Sequence, residues 1–334
     1  MSGRRLDKAL ADGDLDGLLR LIDDSCADRD WEVLEQVALR SRPAHERGHQ
    51  LWAAADHAEH RLALEAPAAQ AAAAVLRDAV TFGIAALAEV AAATHTWDEL
   101  DTHLGAVAVG PLRSVVAHER VARGEDLTGV ELFEDPIGLP LLLTPWEPTF
   151  AEPTIGAYAI DDPVPAAGRL DETGPVAPAD AGGPDTAPGR NALLELTCTW
   201  AEESNGHRSA VGVRGDAAQA IAALIGTTGR RRSLPASEAL ALLAWAGASG
   251  GAHGRRRGMA RGRFEAWWCA AALAGLDDWP PSVDELGGAI GELDWWRFDD
   301  GTPPSGWHLQ IAVEDPLDVL AWALSAGDSA TPIG

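Results

Sequence analysis

The sequence predicts an α+β protein, with an N-terminal α-helical domain followed by a C-terminal α+β domain built on a small, mainly antiparallel sheet. Three observations carry that prediction. Apolar residues recur at helical spacing in the first part of the chain, and beyond residue 190 the period shortens to two in short runs bounded by turn residues. Between these regions, residues 161–190 hold six prolines and five glycines and almost no bulky apolar residue, the composition of a mobile linker. The boundaries read this way are an α-helical domain at 1–150, a linker at 161–190 and an α+β domain at 191–334. Residues 139–160 are extended chain able to join a sheet. With 334 residues, 46% of them hydrophobic, the chain can bury two cores.

The elements follow in order. Leu15, Leu18, Leu19 and Ile22 form an i, i+3, i+4, i+7 stripe, and Trp31, Leu34, Val37 and Ala38 open a second helix. Further helices are expected near 47–65, 68–92, 97–104 and 111–123. The tetrapeptide Ala44-His45-Glu46-Arg47 recurs as Ala117-His118-Glu119-Arg120, the echo a helical repeat would leave. From Leu139 to Ile160 prolines break up short apolar runs, which suits extended chain at a sheet edge.

Past the linker, Leu194, Leu196, Cys198 and Trp200 alternate with polar residues and read as a half-buried strand. Asn205-Gly206 would turn this strand into Ser209–Val213 as a hairpin. Asp216 is an N-cap for a helix to Ile225, and Ser237 opens a helix to Trp245. A helix is expected over Phe264–Leu273, and Ser282 with Glu285 has capping-box spacing ahead of a helix to Ile290. Trp296 and Phe298, then Trp307, Leu309, Ile311 and Val313, form a second hairpin with a long loop. Asp315-Pro316 reads as the N-cap and first position of a last helix to Leu324. Strands that cluster in pairs between helices favour α+β over a doubly wound parallel sheet.

Composition excludes several function classes. A formal net charge of −25 disfavours extensive binding to nucleic acid or to an anionic membrane, since both respond to summed positive potential. No apolar run approaches the roughly 20 residues needed to span a bilayer, and the charged start, Met1–Asp14, lacks the core of a signal peptide. A cytoplasmic protein is expected. Cys26, Cys198 and Cys269 are odd in number and far apart, as reduced core thiols are. Lys8 is the sole lysine, and arginine and alanine dominate, as in proteins of GC-rich bacteria.

The densest functional signal is the segment 249–263, which holds five glycines, five arginines and no acid. His253, Arg255, Arg256, Arg257, Arg261 and Arg263 lead into a helix N-terminus, where free N–H groups and guanidinium forks would suit an anionic small molecule or an acidic protein surface. Arg230, Arg231 and Arg232 would add to it. The competing account is that the loop neutralises its surroundings, since residues 264–334 hold thirteen acids and only Arg297. A phosphate-binding P-loop is excluded because its Lys-Ser/Thr pair is missing.

His45, His49, Asp56 and His60 share one helical face, but fifteen residues rise about 22 Å, so neighbours would have to complete any ion site. They are read as structural, with no metal and no cofactor. Gly247-Ala248-Ser249-Gly250-Gly251 matches a G-x-S-x-G elbow in letters only, because a helix, not a strand, precedes it. The thirteen tryptophans include the pairs Trp267-Trp268 and Trp295-Trp296, in which one ring faces the core and its neighbour a cleft or partner.

Two stretches resemble an uncharacterised family from GC-rich bacteria: Ala117-His118-Glu119-Arg120 with Gly124-Glu125-Asp126-Leu127, and Gly254-Arg255-Arg256-Arg257-Gly258 followed by Gly262-Arg263-Phe264 and Trp267-Trp268. That resemblance implies no activity. The leading reading is an uncharacterised binding or regulatory protein whose Arg/Gly-rich loop engages an anionic ligand or acidic partner. The alternative is an enzyme acting on a phosphorylated or nucleotide substrate, with His253 or His308 as proton-transfer group.

Overall fold

The computed structural model describes residues 2–43, 50–77, 85–105, 111–162, 164–166, 168–172, 176–226, 230–301 and 306–329. Two compact units are present, and neither is one continuous stretch. The first comprises Met1–Val121, Leu127–Ile137 and Pro153–Asp161; the second comprises Ala122–Asp126, Gly138–Glu152 and Asp162–Gly334.

The first unit is helical: α1 (Ser2–Asp12), α2 (Leu15–Asp28), α3 (Trp31–Ser41), α4 (Trp52–Glu65), α5 (Ala68–Leu76), α6 (Leu87–Thr94), α7 (Trp97–Leu104) and α8 (Pro111–Ala122). Side-chain caps set its helix starts, with Asp14 accepting from the Gly17 N–H at 2.8 Å and Thr96 and Glu99 forming a reciprocal capping box on α7. The stripe read from the sequence is the buried face of α2 and α3: Leu18, Ile22, Leu34, Val37 and Ala38 have no measurable exposure. The helix expected over 68–92 is two helices, α5 and α6. Helix α4 touches α2, α3, α5 and α6 and so buries polar residues as well as apolar ones. Asp56 and Glu59 on α4 are paired by Arg42 at 3.1 and 2.5 Å. A two-stranded antiparallel ribbon, β1 (Thr154–Ile155) with β2 (Ile160–Asp161), belongs to this unit. Of the chain at 139–160 only the end is in strand, in this ribbon, and none of it joins the main sheet.

The second unit is a six-stranded antiparallel sheet with helices on both faces. Its strands are β3 (Asp171–Glu172), β4 (His207–Arg214), β5 (Arg230–Leu234), β6 (Asp294–Asp299), β7 (Trp307–Asp315) and β8 (Leu320–Asp328), in the order β3-β5-β6-β7-β8-β4. Its helices are α9 (Ala187–Leu196), α10 (Cys198–Glu202), α11 (Ala217–Ile225), α12 (Ala236–Ala248), α13 (Met259–Leu273) and α14 (Val283–Glu292). Helix α11 covers one face, where Ala217, Ala220 and Ile221 meet Val213, Phe298, Ala312, Ala321 and Ala323. Helix α9 lies against β4 and β8 and against α13, which packs along α12.

Three expectations are corrected here. Residues 194–200 are helical, because Ala192, Leu193, Leu196 and Trp200 are the buried positions while Leu194 is half-exposed. A period-two reading skipped Leu193; the i, i+3, i+7 spacing wins. Consequently β4 pairs with β8 rather than with 194–200. The last helix is instead strand β8. The Asp315 carboxylate caps a turn, accepting from the N–H groups of Leu317 and Asp318 at 2.9 and 3.2 Å, a bond pattern that turns share with helix N-caps. Val319, at φ 54°, then sends the chain back.

The chain read as a linker behaves differently from a free tether. Its described residues run along the second unit, where β3 pairs with β5, Ala181 bridges Val213, and the buried Arg297 donates to the carbonyls of Pro165 and Ala166 at 2.8 and 3.0 Å. Anchors supplied from elsewhere in the sequence offset an ordering cost that its own composition cannot. The first copy of the repeated tetrapeptide lies outside the described residues; the second is in α8.

Candidate functional site

The arginine-rich segment joins α12 to α13, which starts at Met259 rather than near Phe264 and so carries Arg261 and Arg263. The guanidinium groups of Arg256 and Arg263 turn inward, while the Arg261 side chain is 45% exposed. Arg256, buried, meets Asp162 at 2.5 Å. Arg257 and Arg261 converge on Glu265 at 2.9 and 2.6 Å. Arg263 is fully buried, with Nε and one terminal nitrogen on Glu147 at 2.6 and 2.9 Å and further bonds to the carbonyls of Pro140 and Leu142. Arg255 is half-buried, and His253 is exposed, its backbone N–H bonded to Ser204 Oγ at 3.0 Å. The tight turn is fixed by glycine, since a Cβ on Gly250 would lie 2.4 Å from the Arg255 carbonyl oxygen. Arg230, Arg231 and Arg232 sit on β5 with partners of their own: Asp299, the Trp296 ring and Glu238. The sequence thus showed the arginines but not the carboxylates that meet them, two of which lie about a hundred residues upstream.

Other sequence candidates are dispersed. His308 is half-buried with Nδ1 3.2 Å from the Gly306 carbonyl, and burial holds its pKa below the usual imidazole value. Ser249 ends α12, where its hydroxyl accepts from the Gly251 N–H. His45 and His49 lie outside the described residues, whereas Asp56 is paired to Arg42 and His60 Nε2 is 2.8 Å from the Gly156 carbonyl. Among the described residues no group of three or more His, Cys, Asp or Glu stands close enough together to hold a metal ion.

The first unit carries an aromatic and polar cluster. Tyr158, the only tyrosine in the chain, donates its hydroxyl to Asp23 at 2.5 Å and stacks on His57 at 4.4 Å, with Arg61 6.0 Å from its ring centre. Burial, reinforced by Asp23, pushes the phenol up to about 12, and burial, with help from Arg61, pushes His57 down to about 4. Both groups hold one protonation state near neutrality, which fits a clasp better than a proton shuttle. A cavity of about 490 Å³ opens beside Cys26 and Trp31, where burial raises the thiol to about 11.

The feature that sequence reading did not assemble is a cleft in the second unit. The end of α13, the turn after it, the start of α9 and the β7–β8 turn enclose about 540 Å³. Trp268 and Trp279 supply aromatic surface, and Trp322, buried, backs the floor. Trp268 is 42% exposed while its neighbour Trp267 is buried, the division expected of that pair. Trp279 meets Trp268 edge-on at 4.9 Å and Phe264 at 5.2 Å, so both walls are braced. Trp322 is fixed by its indole N–H on the Thr186 carbonyl at 2.8 Å. Five carboxylates line the same space: Asp185, Asp277, Asp278, Asp315 and Asp318. Asp185 is paired to Arg214; Asp277, Asp278 and Asp318 make no ion pair among the described residues. Among the described residues no lysine, arginine or histidine lines the cleft. Low-dielectric walls beneath a ring of like charge focus negative potential into the space.

The cleft is thus acidic, partly lined by tryptophan, and built on an antiparallel α+β sheet. The chain belongs to DUF6183, a family of unknown function whose pattern matches residues 16–330. No curated protein and no solved structure matches it. Among the described residues no helix is long and apolar enough to cross a membrane.

Proposed function

We propose that this is an intracellular binding protein whose ligand presents a positively charged organic group to the cleft of the second unit. The observation that carries this reading is the pairing of the accessible Trp268 and Trp279 with five aspartates around 540 Å³ that no basic side chain lines among the described residues. Each component acts on the same ligand chemistry. A desolvated cation over an indole face gains roughly 0.5–2 kcal/mol, and carboxylates at the rim raise its local concentration. An organic anion would meet repulsion from Asp277, Asp278 and Asp318.

The arginine loop serves this reading as a scaffold. Its pairs with Asp162, Glu265 and Glu147 fix the start of α13, whose far end forms a wall of the cleft. An anionic ligand at the loop would have to displace those carboxylates. Neither His253 nor His308 lines a described cavity, so proton transfer in either cavity finds no imidazole from them.

Thermal denaturation with a panel of small ions tests the reading. Agmatine and tetramethylammonium should raise the melting temperature of the wild type, and Trp268→Ala should remove the rise, while sulfate and ADP should act on both alike. A rise with sulfate or ADP and none with the cations would return the ligand site to the arginine loop.

A further inference from the structure

The cleft does not end at its aspartates. Between Asp315 and Leu320, both in its lining, the β7–β8 turn carries Leu317 and Val319, 74% and 58% exposed. With Trp268 at 42%, three of the largest exposed apolar side chains of the second unit belong to the elements that form this one cleft. Single exposed apolar residues are ordinary, but a group of them beside a functional cavity marks a contact surface. Val319 adds a second sign. A β-branched residue at φ 54° is strained, and glycine would serve the turn better if the turn were only a turn.

A small ammonium or guanidinium compound would fill the acidic space and leave Leu317 and Val319 in water. Covering them takes a ligand that carries apolar groups alongside its cation. A lipid surface is disfavoured, because its phosphates would face unpaired carboxylates, and nucleic acid is disfavoured for the same reason. A protein segment in which basic and apolar side chains alternate has the complementary charge and the complementary apolar surface.

Resting on the cationic-ligand reading above, we infer that the cleft is a docking site for a basic, leucine-like segment of a partner protein. One arginine or lysine side chain lies against Trp268 between the aspartates, and flanking apolar side chains cover Leu317 and Val319. Charge complementarity selects the segment's basic residue, while the exposed Leu317 and Val319 of the adjoining turn distinguish a peptide from a free amine.

The test compares two peptides of equal charge on the full chain by calorimetry: acetyl-Leu-Arg-Leu-Arg-Leu-Arg-amide and its analogue with serine for leucine, with agmatine as the small cation. The leucine peptide should bind at least tenfold more tightly than the serine peptide. The double variant Leu317→Ser with Val319→Ser should erase that difference and leave agmatine binding unchanged, and Asp277→Asn with Asp278→Asn should weaken all three probes. Equal affinity for the two peptides, with agmatine still bound, overturns the docking inference and leaves the cation site standing. Failure of all three to bind overturns both. Retention by phosphatidylcholine vesicles that depends on Trp268 would replace the protein partner by a membrane.

Discussion

Replacing Glu147 by glutamine keeps its shape and removes one charge from the centre of the second unit. Glu147 Oε1 accepts from Arg263 Nε at 2.6 Å and from the Trp267 indole at 2.8 Å; Oε2 accepts from Arg263 at 2.9 Å and from the Thr144 N–H at 2.8 Å. Both partners of the ion pair are sealed, with side-chain exposures of 0% for Arg263 and 1% for Glu147. In Glu147→Gln the amide oxygen still accepts one bond, but the amide NH2 cannot accept the other, and the guanidinium, held also by the carbonyls of Pro140 and Leu142, stays charged where water cannot reach it. Losing one partner of such a pair costs about 3–5 kcal/mol. For a unit of this size that is a fall of roughly 6–20 °C in its melting transition. Differential scanning calorimetry at neutral pH reads it directly. The double variant Glu147→Met with Arg263→Met should recover most of the loss, because removing both charges leaves nothing unpaired. If Glu147→Gln melts within about 2 °C of the wild type, water reaches the pair and the account of the arginine loop as a buried scaffold fails.

Gly262→Ala should cost about 1–3 kcal/mol, since its Cβ would lie 2.2 Å from the Ala244 carbonyl oxygen where α12 and α13 touch; a neutral result in a denaturant melt would show that the helices can move apart. Val319→Gly should raise stability by up to about 1 kcal/mol through relief at φ 54° while weakening the leucine peptide, and a destabilised variant would refute the strain argument. The first unit should lose stability as pH falls from 6.5 towards 4, because burial holds His57 and His60 neutral in the fold while the unfolded chain takes up their protons; Glu59, pushed up by burial, opposes this only in the acid part of the range. A melt of the first unit that is flat between pH 7 and 5, or that matches in His57→Phe, would contradict it. Cys26, Cys198 and Cys269, all shifted upward by burial, should react with Ellman's reagent at pH 8 far more slowly in the native protein than in denaturant, and rapid native labelling would show that the thiols are open.

What the sequence made legible was local. The caps at Asp216 and Ser282 mark real helix starts, because a cap is a bond between residues three apart. The alternation from Trp307 to Val313 is a real strand. Patterns with two readings were lost: Asp315-Pro316 opens a turn as readily as a helix, and Leu194 to Trp200 fits both periods when Leu193 is overlooked. The cleft was illegible for another reason. Asp185, Asp277 and Asp318 are brought together by the packing of α9 against α13 and against β4 and β8, and no spacing along the chain encodes that packing. Trp267-Trp268 gave the one local hint, a buried ring beside an exposed one.

The division of the chain between its two units, with boundaries after Val121, Asp126, Ile137, Glu152 and Asp161, limits how this protein can be cut or inherited. A gene truncated at residue 161 would separate Arg263 from Glu147, and one truncated at residue 121 would deprive the helical unit of Tyr158 and its bond to Asp23. Neither unit can be lent to another gene as a cassette by a single recombination event. One family pattern spans both units, from residue 16 to residue 330.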